Sequence, residues 1–200
     1  MNKKIINYLF IFVQVLGLGG FLIVSYFPSK LLIFSPELPV SDVRNIVVDH
    51  SENIYLALGD LGYIQKYSKT GDFLSNWKIK YRSSSFFTMD IEEEVLRVKS
   101  DRGHQLELFD FEGTEVSHFD QDVSHINIYE SNSFRLTDGT QYIFVEKLNN
   151  EIIKVDKDGK KSLIKQFSIY HAFIGSKFKC LALMAFGALG LFIMSRLKRK

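Results

Sequence analysis

Three glycines at nearly regular spacing place the strongest limit on how this 200-residue chain can fold. Gly71, Gly113 and Gly159 are 42 and 46 residues apart, and each closes a short polar segment after an apolar run. Glycine at such a place supplies the positive φ that a short hairpin loop needs. The spacing therefore predicts three repeats of about 40–50 residues, each with a hairpin at the same point.

The sequence between residues 28 and 177 predicts short β-strands. No window there sustains a 3.6-residue period, and turn residues separate runs rich in β-branched and aromatic side chains. The predicted strands are residues 45–49, 53–58, 63–68, 73–79, 86–91, 95–99, 105–110, 114–119, 126–130, 142–146, 151–156 and 161–167, with 133–136 competing for an edge position in the third group. In groups of four they predict about three propeller-like blades. The predicted fold class is thus an all-β extracytoplasmic domain of propeller-like four-stranded blades, flanked by two transmembrane α-helices.

Residues 44–79 resemble a blade of the NHL-type β-propeller family. The resemblance is carried by Asn53-Ile54-Tyr55-Leu56-Ala57, by Tyr63-Ile64-Gln65-Lys66-Tyr67, and by Gly71-Asp72-Phe73-Leu74 with Trp77. Residues 86–119 and 126–167 keep the spacing but few identities, and Leu58 stands where the family usually has Asp. The resemblance implies a scaffold of the six-bladed type and no particular activity.

Two apolar segments near the ends of the chain predict membrane spans. Residues 5–27 and 180–195 contain no charged side chain, and about 20 apolar residues in a helix cross a bilayer core. The alternatives are a cleaved signal peptide for the first segment and a buried C-terminal helix for the second. The prediction divides the chain into a cytoplasmic N-terminus (1–4), helix 1 (5–27), the β-domain (28–177), helix 2 (178–195) and a basic tail (196–200).

The distribution of charge predicts the orientation of these segments. Basic residues flank the apolar segments on what would be the cytoplasmic side, and they are Lys3, Lys4, Arg196, Lys198, Arg199 and Lys200. This predicts a two-span protein of the cell membrane, with both termini in the cytoplasm and the β-domain outside. All 23 Asp and Glu residues lie between Glu37 and Asp158, and such an acidic domain argues against a nucleic-acid partner.

No catalytic, cofactor or metal site is predicted. His118 and His125 are near in sequence but lie on different predicted strands, and the Asp156–Gly159 segment is followed by two lysines that would repel a cation. Residues 92–94 are three glutamates in a turn, where the side chains are expected to face water. The single cysteine, Cys180, excludes a disulfide framework within the chain.

Three blades are too few to close a propeller ring, which usually needs four to eight. Membrane lipid is one expected partner, and a second copy of the chain or a membrane protein that completes the propeller is another. The remaining alternative is that the three sheets pack as a sandwich or a short open stack. Asn7 and Gln14 lie on one face of the first helix, where they either contact the second helix or another copy, or are isolated amides tolerated near the membrane interface. The sequence favours a membrane-anchored, non-enzymatic binding or scaffold protein, and a sensor subunit of a membrane complex or an extracellular propeller-type hydrolase or lyase are the alternatives.

Overall fold

A computed structural model of the chain describes residues 3–26, 36–59, 61–80, 87–100, 105–119, 131–147, 149–168 and 177–197. Two helices lie near the ends of the chain, α1 (Lys3–Tyr26) and α2 (Lys177–Leu197). The strands between them are β1 (Val43–Val48), β2 (Ile54–Leu58), β3 (Tyr63–Tyr67), β4 (Phe73–Lys78), β5 (Phe87–Glu92), β6 (Val95–Ser100), β7 (Gln105–Phe109), β8 (Glu115–Phe119), β9 (Ser133–Arg135), β10 (Gln141–Val145), β11 (Glu151–Val155) and β12 (Lys161–Gln166).

The strands form three antiparallel four-stranded sheets, each of which follows the order of the chain. The first sheet contains β1–β4, the second β5–β8 and the third β9–β12. Turns of one pattern join strands within the sheets, and the glycine N–H in each donates to the carbonyl three residues earlier, as Gly113 does to Asp110. The prediction of a β-rich, propeller-like repeat is confirmed by this topology.

The first strand of the third sheet is not the segment that the residue pattern favoured. β9 is Ser133–Arg135, within the segment 133–136 that was predicted to compete for an edge position, and the predicted strand 126–130 lies outside the described residues. Ser131, just before β9, forms an isolated parallel bridge to Asn45 of the first sheet. A three-residue strand is too short to show an alternating pattern, and its partners across the sheet define it instead.

The first sheet lies between the other two. One of its faces packs on the third sheet through Ile46, Leu56 and Tyr67 against Tyr142 and Phe144. The opposite face packs on the second sheet in a separate apolar cluster, whose members include Val47, Tyr55, Ile64, Phe87, Met89, Leu96 and Phe109. The third sheet therefore adjoins the first sheet on the side away from the second, although it follows the second in the chain.

Buried amide side chains hold the segment before β1 in this core. Leu38 and Val40 are fully buried. The Gln65 amide accepts from the Leu38 N–H at 2.6 Å and donates to its carbonyl at 3.2 Å. Asn150 of the third sheet donates to the Val40 carbonyl at 2.6 Å. These bonds satisfy backbone groups that would otherwise be buried without partners.

The prediction of two transmembrane helices is wrong, and so is the cell-membrane location that depended on it. A crossing needs about 20 consecutive, predominantly apolar residues. No helix in the described part of the chain is both long and apolar enough to meet that requirement. The predicted two-span topology, the orientation read from the basic flanks and the placement of the β-domain outside a cell membrane are therefore not supported.

The two helices pack against each other. The rings of Phe10 and Phe186 have centroids 5.8 Å apart. Gly187 approaches Gln14 so closely that a Cβ built at this glycine would lie 2.8 Å from the Gln14 Cβ. The expected contact of Gln14 with the second helix is thus present, and small residues make it possible because they let the helix backbones approach.

Candidate functional site

A pocket of about 280 Å³ lies where the C-terminal ends of β1, β5 and β9 come together, and we call it the central pocket. All three sheets contribute to its wall, which is formed by Val48, Asp49, His50, Ile91, Glu94, Phe111, Phe134, Arg135, Leu136 and Thr137. The described residues that line it are far apart in sequence and adjacent only in the folded chain.

Two phenylalanines, Phe111 and Phe134, form part of this wall. The Phe111 ring lies 5.9 Å from the Tyr55 ring and 5.7 Å from the His50 ring, between centroids. Phe134 packs against both apolar clusters. An apolar wall with a few polar groups at its rim is typical of a small-molecule site.

Asp49 lines the pocket, but its carboxylate is fully engaged in the fold. It accepts hydrogen bonds from the backbone N–H groups of Ser51 and Asn53 at 2.8 Å, from the Asn53 amide at 2.9 Å and from the Tyr55 hydroxyl at 2.8 Å. Burial, together with the bond to Asp49, raises the pKa of Tyr55 well above its ordinary value. Asp49 therefore shapes the β1–β2 turn through contacts within the fold.

The β5–β6 turn carries Glu94 into the pocket wall with an unfavourable backbone. Glu93 and Glu94 have φ of 48° and 66°, the left-handed conformation for which two-residue hairpins usually employ Asn or Gly. A non-glycine residue there costs on the order of 1 kcal/mol. Such strain motivates a functional hypothesis for Glu94, which lines the pocket, and not for Glu93, which does not.

The rim of the central pocket carries charges of both signs. Glu94 and Arg135 line it together with His50, and all three residues are exposed. Within the described part of the chain, no ion pair joins Glu94 to Arg135. The rim can therefore offer both a carboxylate and a guanidinium to a ligand.

A second pocket, of about 330 Å³, lies at the opposite ends of the inner strands. Its wall includes Asp42, Arg44, Ser131, Asn132 and Glu146, and it is mainly polar. The Arg44 guanidinium lies 2.9 Å from the Asp42 carboxylate, so its positive charge is balanced by a neighbour. This pocket lacks the aromatic wall that distinguishes the central pocket.

Charged side chains also bridge the sheets. Glu52, in the turn between β1 and β2, accepts hydrogen bonds from Lys154 and from the Tyr142 hydroxyl of the third sheet. The bond from Lys154 holds the pKa of Glu52 below its ordinary value, and burial raises the pKa of Tyr142 to about 12. Lys66 of the first sheet pairs with Glu112 of the second at 2.8 Å. These contacts join sheets and do not surround a cavity.

The residues singled out from the sequence lie elsewhere. Gly71, Gly113 and Gly159 have φ of 87°, 86° and 81° at the β3–β4, β7–β8 and β11–β12 turns. Lys3, Lys4 and Arg196 belong to the helices, and Lys198, Arg199 and Lys200 lie outside the described residues. The topological role predicted for these basic residues depended on the two-span arrangement.

The polar candidates have ordinary surroundings where they are described. The His118 imidazole lies 2.9 Å from the Glu115 carboxylate on the exposed strand β8, while His125 lies outside the described residues. The Asp156 carboxylate accepts from the backbone of its own turn, at Asp158 and Lys160. Among the described residues, no group of three or more His, Cys, Asp or Glu is placed to hold a metal ion.

Sequence reasoning did not identify His50, Glu94 or Arg135 as site residues. His50 follows β1 and Arg135 ends β9, so no local motif connects them. The only sequence signal was the run of three glutamates at 92–94. Two of them, Glu93 and Glu94, form the tight turn, where negatively charged residues are unusual.

Comparison with known proteins gives structural similarity alone. No protein-family profile matches the sequence, and no curated protein matches it. Among solved structures, a streptogramin B lyase is 19% identical with a TM-score of 0.37, and the match covers 62% of this chain and 41% of the lyase. Virginiamycin B lyase from Staphylococcus aureus is 14% identical with a TM-score of 0.36, covering 64% and 42% of the two chains.

A protein of unknown function from Bacteroides caccae is 15% identical with a TM-score of 0.34, covering 68% of this chain and 50% of that protein. The chain thus spans about two fifths to one half of the length of these three structures. Similarities at this level carry no argument about activity, and the propeller-like description rests on the three sheets of the chain itself.

Proposed function

We propose that this chain is a non-enzymatic binding module that holds a small ligand in the central pocket. The observation that carries the proposal is the convergence of all three sheets on one aromatic-walled cavity with a charged rim. Ligand sites of this kind combine an apolar wall with a few polar groups that fix orientation.

The chemistry of the wall suggests the class of ligand. Phe111 and Phe134 suit a flat apolar or aromatic body, and the rim suits a molecule with one cationic and one anionic group. Glu94 would accept hydrogen bonds from the cation, and Arg135 would donate to the anion. The volume of about 280 Å³ is at the lower end of ligand sites, so the proposed ligand is a small zwitterion such as an aromatic amino acid or dipeptide.

Binding without catalysis is favoured by the residues around the cavity. The described lining contains no serine, cysteine or lysine. The Asp49 carboxylate is occupied by four hydrogen bonds, and the His50 ring packs on Phe111. Among the described residues, no hydrogen bond couples the Thr137 hydroxyl of this lining to a base.

We extend the proposal to the type of repeat, which we assign to the NHL class. The residues that carry the resemblance fall at matching points of the first sheet: Ile54 begins β2, Tyr63 begins β3 and Phe73 begins β4. Trp77, near the end of β4, packs toward the second sheet. The assignment concerns the scaffold and adds no activity.

Glu94→Gly provides the test, with Glu93→Gly as its matched control. Both changes relieve a positive φ in the same turn, so each is expected to raise the free energy of unfolding by up to about 1 kcal/mol. Only Glu94→Gly removes a charge from the pocket wall. Titration of the full chain with aromatic amino acids and dipeptides, followed by NMR or calorimetry, should show binding weakened at least tenfold in Glu94→Gly alone.

Two results would contradict this function. One is that no zwitterionic aromatic probe binds the wild-type chain at millimolar concentration. The other is that both glycine variants bind equally well, which would place the ligand elsewhere. Arg135→Ala supplies an independent check, since it should weaken binding of the same probes, while Lys157→Ala in an exposed turn should not.

A further inference from the structure

Neighbouring sheets in this chain are joined by one repeated contact. The β7–β8 turn of the second sheet lies on the outer strand of the first sheet, where a Cβ built at Gly113 would be 2.5 Å from the Trp77 ring. The β3–β4 turn of the first sheet lies on the outer strand of the third, where a Cβ at Gly71 would be 2.6 Å from the Ile164 carbonyl oxygen. In both cases a glycine turn of one sheet packs on the last strand of the next.

The third member of this series has no partner in the described part of the chain. A Cβ built at Gly159, in the β11–β12 turn of the third sheet, would meet nothing within 4 Å. This turn has the same hydrogen bonds as the other two, since the Gly159 N–H donates to the Asp156 carbonyl at 2.9 Å. The Gly159 turn therefore has the same conformation as the two turns that contact a neighbouring sheet, but it contacts no neighbouring sheet in the described part of the chain.

The second sheet exposes a residue equivalent to the one that the Gly113 turn contacts. Strand register makes Phe119 of the second sheet the counterpart of Trp77 of the first sheet. Trp77 pairs with Ile64, the second residue of β3, and Phe119 pairs with Leu106, the second residue of β7. Trp77 is partly buried beneath the Gly113 turn, whereas Phe119 is 43% exposed.

The free face of the third sheet carries a row of apolar side chains across its middle. Ile143, Ile153 and Leu163 are paired in register across β10, β11 and β12, so they share one face. The register makes Ile143 the counterpart of Leu56, which is fully buried where the first sheet meets the third. Leu163 is 57% exposed, and the face that Phe144 and Ile152 form on the other side is the one packed on the first sheet.

From these observations we infer that the third sheet of one chain docks on the second sheet of a second copy. The Gly159 turn would lie on the partner's Phe119. The face with Leu163 would pack on the partner's second sheet, as the equivalent face of the first sheet packs on the third sheet within each chain. The same contact made twice, around a twofold axis, gives six sheets. Rings of about four to eight blades are the sizes at which propellers close, and a two-chain ring has no unpaired end.

This interaction surface is separate from the proposed ligand function. The faces concerned are the outer sides of the second and third sheets, whereas the central pocket lies at the ends of their inner strands. Self-association could fail while the ligand still binds, and the reverse holds too.

Leu163→Glu tests the inference, with Leu74→Glu as the matched control. Both leucines are on the last strand of a sheet and about half exposed, at 57% and 48%. Leu74 belongs to the first sheet, which already has a neighbour on each face. Neither change should unfold the chain, since both side chains face solvent in the single chain.

Sedimentation or native mass spectrometry of the full chain should give twice the mass of one chain for the wild type and for Leu74→Glu. Leu163→Glu should weaken association at least tenfold, and Phe119→Glu should do the same. A wild-type mass of one chain at all concentrations, a mass that grows without limit, or a dimer that survives Leu163→Glu would each overturn the inference.

Discussion

At the scale of single residues, Gly113 and Gly159 occupy identical turns with different surroundings. Their φ values are 86° and 81°, yet only Gly113 faces a side chain, the indole of Trp77. The difference separates two costs of replacing glycine: the backbone cost of a positive φ and the cost of displacing a neighbour.

Alanine at these two glycines should therefore have unequal effects. Gly159→Ala should lower the free energy of unfolding by about 1 kcal/mol, from the backbone alone. Gly113→Ala should lower it by about 2–4 kcal/mol, because the methyl group also forces Trp77 to move. Urea unfolding of both variants in the Leu163→Glu background, where the inferred dimer is absent, measures the difference, and equal losses would contradict the role given to Trp77.

Sequence reasoning at this scale located the turns but not the pocket. A glycine after a polar segment has a local conformational cause, so Gly71, Gly113 and Gly159 stand out in the sequence. His50 and Arg135 have no local signal, because what brings them together is the packing of the first sheet on the third. Whether Glu94 faces water or lines a pocket likewise depends on Phe111 and Phe134, which are distant in sequence.

At the scale of elements, the contact between the first and third sheets depends on a charge. Lys154 and the Tyr142 hydroxyl both donate to Glu52, and the pKa of Glu52 is lowered. A carboxylate with a lowered pKa contributes stability above its ordinary pKa of 4.5, and this contribution is lost as the pH falls through the lowered value. The contact should therefore weaken below about pH 4.5.

Glu52→Gln should remove this part of the acid dependence. The variant is expected to be less stable than the wild type at about pH 7 and to lose less stability on acidification to about pH 3. The control is Glu93→Gln, which removes a carboxylate from another positive-φ turn and has no such partner among the described residues. Urea unfolding at several pH values measures the slopes, and parallel curves for wild type and Glu52→Gln would contradict the prediction.

The strands were predictable as elements because each carries its own pattern of β-branched and aromatic residues bounded by turns. β9 was predicted only as the competing edge segment 133–136, since three residues hold too little pattern. For the two apolar segments, helices formed as predicted, but their location in a membrane was wrong. The apolar, uncharged segments predict membrane spans, but the described residues of α1 and α2 do not meet the requirement for crossing, and the two helices pack against each other.

At the scale of the whole molecule, the inferred ring makes stability depend on concentration. Association favours the folded state by mass action, so a dimer melts at a higher temperature when it is more concentrated. The melting temperature of the wild type should rise by about 1–3 °C for each tenfold increase in concentration. Leu163→Glu should abolish this rise and Leu74→Glu should retain it, as differential scanning calorimetry can show; a rise that is unchanged in Leu163→Glu would contradict the surface assigned to the dimer.

The repeat, its period, the hairpin turns and most of the strands can be derived from the order of residues, because these features depend on interactions between residues near one another in the chain. The folded arrangement alone shows that the first sheet lies in the middle and that one pocket receives residues from all three sheets. It also shows that, within the described residues, the Gly159 turn meets no neighbour and Phe119 is 43% exposed. These features depend on contacts between segments as far apart as residues 52 and 154. Such contacts follow from how complete sheets pack, and no local pattern of side chains encodes them.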